Sequence, residues 1–334
     1  MVGIFRCRAA SQESNAMTFA NSPVYAIGTG RCGTLFLYHV MEREPDVASS
    51  HERNPENEAF HRYCKWHRLP IDDEGFLATK ELEIRADLDR RAYSFEASPY
   101  LALSVRELHE RFGAKFLFLI RCPDGVVTSF VHKGFYGKPY SVGNPDLAAG
   151  YQDQSPAQFF TFFARVSPHG EFFRTWNDMT PVGKVAWFWR AYNERTLEAL
   201  EQLPPDSYRL ARIEDLDYQK YRELTGFLGI DAKVTQADFD ALRTSRPHAF
   251  WRKRTVDQWT TREISEYEGQ VAELAERFDY RYRVAQLVDE ARAEKAESVR
   301  LGRIPPAKSG PRFWRARRAT ARWLRGLATS VDRS

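Results

Sequence analysis

Residues 28–34 read Gly-Thr-Gly-Arg-Cys-Gly-Thr, a glycine-rich turn with one cation inside it. Where such a turn opens a helix, its backbone N–H groups cradle an anion of any kind. A loop for nucleoside triphosphates has the form G-x-x-x-x-G-K-[ST]; its lysine serves the terminal phosphates, and an acid after a later strand holds magnesium. Here Thr34 follows Gly33 directly, the cation is Arg31 in mid-loop, and neither FLFLIRCP nor YRLARI ends in an acid. A cargo with less charge at its reacting end dispenses with the metal. The guanidinium fork of Arg31 then suffices to bind its oxygens and to stabilise a leaving phosphate as charge develops. Thr34 sits where an N-cap hydroxyl and helix N–H groups point at the same anion.

Other chemistry-bearing residues are spread along the chain. Arg121 follows an apolar run and lies beside Pro123, where a buried guanidinium is costly unless an anion answers it. His51 and Glu52, in SHERNPE, offer two general bases, although taken by themselves they read as charges on a solvated loop. Glu96, in YSFEASPYL, is a third candidate; its plainer reading is a helix-start carboxylate favoured by the dipole. Arg212, Glu214 and Asp215 read as a structural ion network.

These residues need elements to gather them. Val24 to Ile27 reads as a buried strand feeding the glycine loop, and Thr34 to Arg43 as the helix after it. Lys115 to Arg121 is a second strand, with a helix over Asp124 to Val131. Tyr208 to Ile213 is a third, between a long helix from about Pro181 to Leu203 and one over Tyr218 to Leu228 that Gly229 caps. Strands alternating with helices predict a three-layer α/β fold with a parallel sheet, and ligands on such sheets lie at the carboxyl ends of the strands. Phe130 to Trp176 is rich in Phe, Tyr, Gly and Pro; an insertion over about 130–178 is expected to act as a lid or line an acceptor cleft.

Composition bounds the reading. The chain has 334 residues, 43% hydrophobic and 14% aromatic, enough for a large core in one principal domain. Its four cysteines are scattered with no CxxC pair, which argues against a zinc knuckle or a disulfide framework. The first 23 residues hold no signal-peptide-like run and no membrane-length apolar stretch occurs, so a soluble cytoplasmic chain is expected. The net charge of +4 conceals a basic tail: residues 300–334 carry nine Arg and one Lys against one Asp, leaving the rest acidic, which argues against a nucleic-acid-binding core. Within the tail, Arg315, Arg318, Arg322 and Arg325 share one helical face opposite Phe313, Trp323, Leu324 and Leu327. That pattern suits an interfacial helix on an anionic membrane or a docking helix.

GTGRCGT resembles the phosphosulfate loop of the sulfotransferase family, G-x-x-[RK]-[SC]-G-T-T. RCPDGVVTS, Arg121 to Ser129, resembles the family's R-x-P-x-x-x-x-x-S, whose Arg and Ser bind the donor's 3′-phosphate. ARIEDL at 211–216 and FLGI at 227–230 resemble its R-Y-E-D-L and the sequel, and FWRKRTVDQW at 250–259 its late F-x-R-K-G-x-x-G-D-W. The resemblance runs in motif order over residues 24–282. It implies a P-loop-type domain over 24–285, between a polar leader at 1–23 and a basic extension at 286–334, similar to bacterial and carbohydrate-acting members. The implied donor is 3′-phosphoadenosine 5′-phosphosulfate, without metal, and the acceptor a hydroxyl or amine, on a carbohydrate or lipid-linked metabolite among the options. Gly30, Arg31, Cys32, Gly33, Thr34, Leu35, Phe36, Arg121, Ser129, Arg252, Lys253 and Arg254 are the implied donor-site residues. Leu35 stands where the family has Thr, Phe36 where it has an adenine-stacking Trp, and Arg254 where it has Gly. Arg31 is the implied catalytic cation and Glu52 the preferred base, with His51 in reserve. A P-loop kinase and a non-catalytic nucleotide-binding relative are the competing expectations.

Overall fold

Val24–Ile27 is buried at every position and forms β1, the central strand of a five-stranded parallel sheet in a computed structural model that describes residue 17 and residues 19–136, 165–245 and 254–301. The other strands are β2 (Val47–His51), β3 (Tyr93–Ala97), β4 (Lys115–Ile120) and β5 (Tyr208–Arg212), in the spatial order β2-β3-β1-β4-β5. From β1 the chain crosses through α1 (Thr34–Met41) to the edge strand β2, then returns through α2 (Pro55–His67) and α3 (Asp73–Leu88) to β3. It next passes beneath β1 through α4 (Val105–Phe112) to β4, and through α5 (Pro123–His132), α6 (Phe172–Asp178) and α7 (Pro181–Leu200) to β5. The order therefore reverses between β1 and β4. The loops leaving their carboxyl ends diverge there and open the crevice in which parallel sheets bind ligands.

Both faces of the sheet are covered, which is why its central strands read as continuous apolar runs without alternation. Tyr25, Ile27, Phe116 and Phe118 point into one core with Trp187, Phe188 and Tyr192 of α7; Val24, Ala26, Leu117 and Leu119 point into the other with Leu37 and Val40 of α1. The second core also takes Tyr221 from α8 (Tyr218–Leu228) and Phe239 from α9 (Gln236–Ser245). The Asp217 carboxylate caps α8 at Lys220 N–H, and Gly229 ends it with φ 80°, as its sequence predicts. α10 (Thr261–Arg277) opens with a capping box between Thr260 and Glu263, and α11 (Val284–Arg300) follows.

One strand was less legible. His51 and Glu52 read as loop residues and Val47–His51 gives no strand signal because only Val47 is buried, and a strand paired on one edge leaves its polar residues half solvated. His51 is thus the last residue of a strand, and Glu52 the first beyond it. In the aromatic insertion, Phe135 packs on Phe188 with ring centroids 5.7 Å apart and Trp176 on Trp187 at 5.5 Å. These rings belong to the core; residues 137–164 lie outside the described residues.

The chain divides into units 1–286 and 287–334. Of the second, only 287–301 is described, almost wholly as the later turns of α11, so the amphipathic pattern at 313–327 lies outside the described residues. Among the described residues, no helix is long and apolar enough to cross a membrane.

Candidate active site

The glycine loop turns sharply because four of its residues take positive φ: Gly28 at 157°, Gly30 at 80°, Arg31 at 58° and Gly33 at 100°. A side chain at Gly33 would also meet Ile213 Cδ1 at 2.3 Å, so this residue is fixed by space as well as by conformation. Arg31 has no such licence. A left-handed non-glycine residue costs about 1–3 kcal/mol and persists where its surroundings over-determine it. Beyond the loop, α1 has no capping side chain and no acid in its first turn, so its leading N–H groups have neither intrahelical acceptors nor a built-in anion.

The surroundings that hold Arg31 come from the other side of the crevice. Its Nε donates to Ser129 Oγ at 2.8 Å, and its carbonyl accepts from Arg121 Nη1 at 3.0 Å. Ser129 lies in α5 and is fully buried, so it faces the interior and not solvent. Arg121 reaches the loop by folding over the first turn of α5, where a Cβ on Gly125 would lie 2.9 Å from its Nε. Trp189 Nε1 fixes the same residue by donating to its carbonyl at 3.0 Å. Two guanidiniums thus converge, one over the positive end of a helix, an arrangement unfavourable for cations and favourable for an anion. Burial, and then the charge of Arg121, lower the proton affinity of Arg31.

Opposite them stands Glu52, itself left-handed at φ 46°. Burial, and secondarily the charge of Glu58, push its carboxyl up to about 6, against the pull of Lys133, Arg62 and Arg31. His51 Nε2 lies 3.9 Å from Glu52 Oε1. Lys133, just past α5, is a cation the sequence did not single out. Burial and then Arg31 lower its proton affinity, while Glu52 supports it. In the sequence it looks like an ordinary basic residue at a helix end.

Glu96 is committed to the interior. Its Oε1 accepts from Arg53 N–H at 3.2 Å and its Oε2 meets Lys80 Nζ at 2.9 Å. Lys80 also contacts Glu58 Oε1 at 2.5 Å and Glu83 Oε2 at 2.9 Å. The three carboxylates lie close enough together to chelate a metal ion, but the ammonium of Lys80 sits among them. Burial, then the charge of Glu58, push Glu96 up to about 8; burial also raises Glu58, but Lys80 together with hydrogen bonds from Glu96 and Ser98 holds it below its ordinary value. A raised carboxyl pKa stabilises the fold fully below the ordinary value near 4.5 and loses that contribution as pH rises through about 8. The melting temperature is therefore expected to fall by several degrees between pH 7 and 9, and Glu96→Gln to flatten that slope; calorimetry across the range checks it.

Phe36 packs edge-on against Phe239 with centroids 5.3 Å apart, a core contact. Thr34 and Cys32 are buried beneath the loop. Arg254 differs from its expected place in the nucleotide loop: both terminal nitrogens bind the Glu263 carboxylate at 2.6 Å, and Nε donates to Gln258 O at 3.1 Å. It braces the capping box of α10. Arg252 and Lys253 lie outside the described residues. Of the expected ion network, Arg212 Nε pairs with Asp215 Oδ2 at 3.2 Å and stacks over the Tyr280 ring at 4.3 Å, whereas Glu214 accepts from the neutral donors Cys122 N–H and Tyr280 OH, both at 2.9 Å.

The fold and site thus define a parallel α/β protein with an anion cradle at its switch point, two arginines across the crevice and one elevated carboxylate beside them. No protein-family profile matches the chain, and no curated protein matches it. Among solved structures the chain is similar to the sulfotransferase domain of the Synechococcus PCC 7002 olefin synthase, at 14% identity and TM-score 0.41, covering 80% of this chain and 96% of that one. It is also similar to the sulfotransferase domain from the curacin biosynthetic pathway, at 13% identity and TM-score 0.40, covering 78% and 98%. A third is mouse sulfotransferase SULT7A1 complexed with PAP, at 15% identity and TM-score 0.35, covering 86% and 88%.

Proposed function

We propose that the chain is a sulfotransferase that moves a sulfuryl group from 3′-phosphoadenosine 5′-phosphosulfate to a hydroxyl or amine. The observation that carries this reading is the pairing of Arg31 Nε with Ser129 Oγ while Arg121 holds the Arg31 carbonyl, because it joins the two motifs across the sheet's switch point. The donor has an anion at each end, and the crevice offers two places for one. The glycine loop and α1 N-terminus suit the 5′-phosphosulfate; Arg121 and Ser129 suit the 3′-phosphate.

In the reaction, the acceptor oxygen or nitrogen forms a bond to sulfur as the bond from sulfur to the bridging phosphate oxygen breaks, in line. The electron pair leaves with the phosphate, where Arg31 compensates the growing charge. The proton passes to Glu52, which is ionised above about pH 6. Lys133 adds positive charge on the same side. The acceptor is read as a carbohydrate or lipid-linked metabolite, and membrane contact through the basic tail accords with the latter; vesicle co-sedimentation unchanged by deleting residues 305–334 would remove that contact.

The test separates binding from transfer. Arg121→Ala is expected to weaken binding of adenosine 3′,5′-bisphosphate by about 10–100-fold, the loss of a charge-assisted contact, with a smaller effect on turnover at saturating donor. Equal affinity in calorimetry contradicts the assignment. A thermal shift with ATP and magnesium but none with the bisphosphate overturns the reading in favour of a phosphotransferase. Donor binding without transfer to any acceptor in a cell extract supports a non-catalytic relative instead.

A further inference from the structure

Behind Glu52 the backbone is held by an unusual set of acceptors. Glu52 N–H donates to Ala97 O at 3.1 Å, continuing the pairing of β2 with β3 one residue past the strand. The next two N–H groups find carboxylates: Arg53 N donates to Glu96 Oε1 at 3.2 Å and Asn54 N to Glu58 Oε1 at 3.3 Å. Side chain reinforces backbone, since Arg53 Nη2 pairs with Asp87 at 2.7 Å and Nη1 donates to Glu83 O at 3.1 Å. Between these anchors Glu52 keeps its left-handed conformation.

The two carboxylates that take those N–H groups come from different elements, Glu58 from α2 and Glu96 from β3. They are brought together by Lys80 of α3, whose ammonium contacts Glu58 Oε1 at 2.5 Å and Glu96 Oε2 at 2.9 Å. Ser98 Oγ donates to the remaining oxygen of Glu58 at 2.6 Å. Lys80, Glu58 and Glu96 are all almost wholly buried, so without the ammonium the charge of Glu58 would be left uncompensated in a poorly screened interior.

We propose that Lys80 is a positioning residue for Glu52: by clamping Glu58 and Glu96 it fixes the peptides of Arg53 and Asn54, and so holds the Glu52 carboxylate beside the cradle. The role in catalysis rests on the sulfotransferase reading above; the conformational role does not. Groups facing Glu52 are Glu58 and Arg62 from α2, Lys133 beyond α5, Arg31 from the glycine loop, His51 from β2 and Tyr100 from the turn after β3.

The experiment is a titration of the Glu52 carboxyl by ¹³C NMR in glutamate-labelled protein, its signal assigned by its loss in Glu52→Gln and read without donor or acceptor. In Lys80→Met the peptides loosen, Glu52 gains water, and its titration is expected to fall from about 6 toward the ordinary carboxylate range. No change, or the rise that removing a positive charge alone would give, overturns the proposal. Should Lys80→Met fail to fold, Lys80→Met with Glu83→Gln removes one charge of each sign and is read in the same way. With donor and acceptor, kcat is expected to drop about 10–100-fold at unchanged donor KM, a loss of positioning and not of binding; an unchanged kcat in folded protein also overturns it. Wild-type protein that transfers no sulfuryl group overturns the reaction assigned here, while the titration still decides the role of Lys80.

Discussion

Arg31→Ala is expected to lower turnover by about 10²–10³-fold or more, the loss seen when a preorganised donor to developing charge is removed. The guanidinium is the only side-chain cation within the glycine loop, and its Nε bond to Ser129 fixes where its terminal nitrogens lie. Single-turnover transfer of labelled sulfuryl from donor to product measures the loss. Two companions separate chemistry from backbone. Arg31→Gly relaxes the left-handed residue at φ 58°, so a rate loss there cannot come from strain. Arg31→Lys keeps a charge but loses the planar fork, and its rate is expected to fall between those of alanine and wild type. Wild-type turnover in Arg31→Ala would contradict the assignment outright.

The second large effect belongs to Glu52. Glu52→Gln is expected to lower kcat by about 10²–10⁴-fold, the range for removal of a general base, with little change in bisphosphate affinity. A base must be ionised to act, and burial sets this carboxyl to about 6. Wild-type kcat is therefore expected to rise with pH through about 6 and level off above 7. The glutamine variant should retain its residual rate without that limb. A limb that persists in Glu52→Gln would transfer the role to another group, with His51, 3.9 Å away, the nearest candidate.

What could be read from residues alone differed from element to element. β1 and β4 were visible because strands at the middle of a parallel sheet are apolar enough to show as runs; β5, an edge strand, was visible through its place between two helical segments, and α8 through Gly229 at its end. The resemblance of the stretch Arg121 to Ser129 to a family motif implied one anion for both, and the structure brings both to Arg31. β2 was hidden, because this edge strand, Val-Ala-Ser-Ser-His, buries only Val47 and its polar residues carry no apolar signature. Arg254 was misleading: a cation in a motif-like stretch says nothing of the acid nine residues on that engages it. Lys80 and Lys133 gave no signal, since a lysine on a helix normally faces water.

The sequence by itself determined the strand-loop-helix units and the placing of a cation in the glycine loop, because φ > 0 residues, caps and apolar runs act over a few neighbouring positions. Only the tertiary structure decided that Arg31, Arg121 and Ser129 share one crevice, and that Lys80 binds acids from α2, α3 and β3. Those facts follow from the order in which the strands pair. Pairing of β4 with β5 joins Phe116 to Tyr208, and the packed crevice brings Arg31 to Ser129, 98 positions away, through burial and electrostatics that depend on what lies nearby in space and not along the chain.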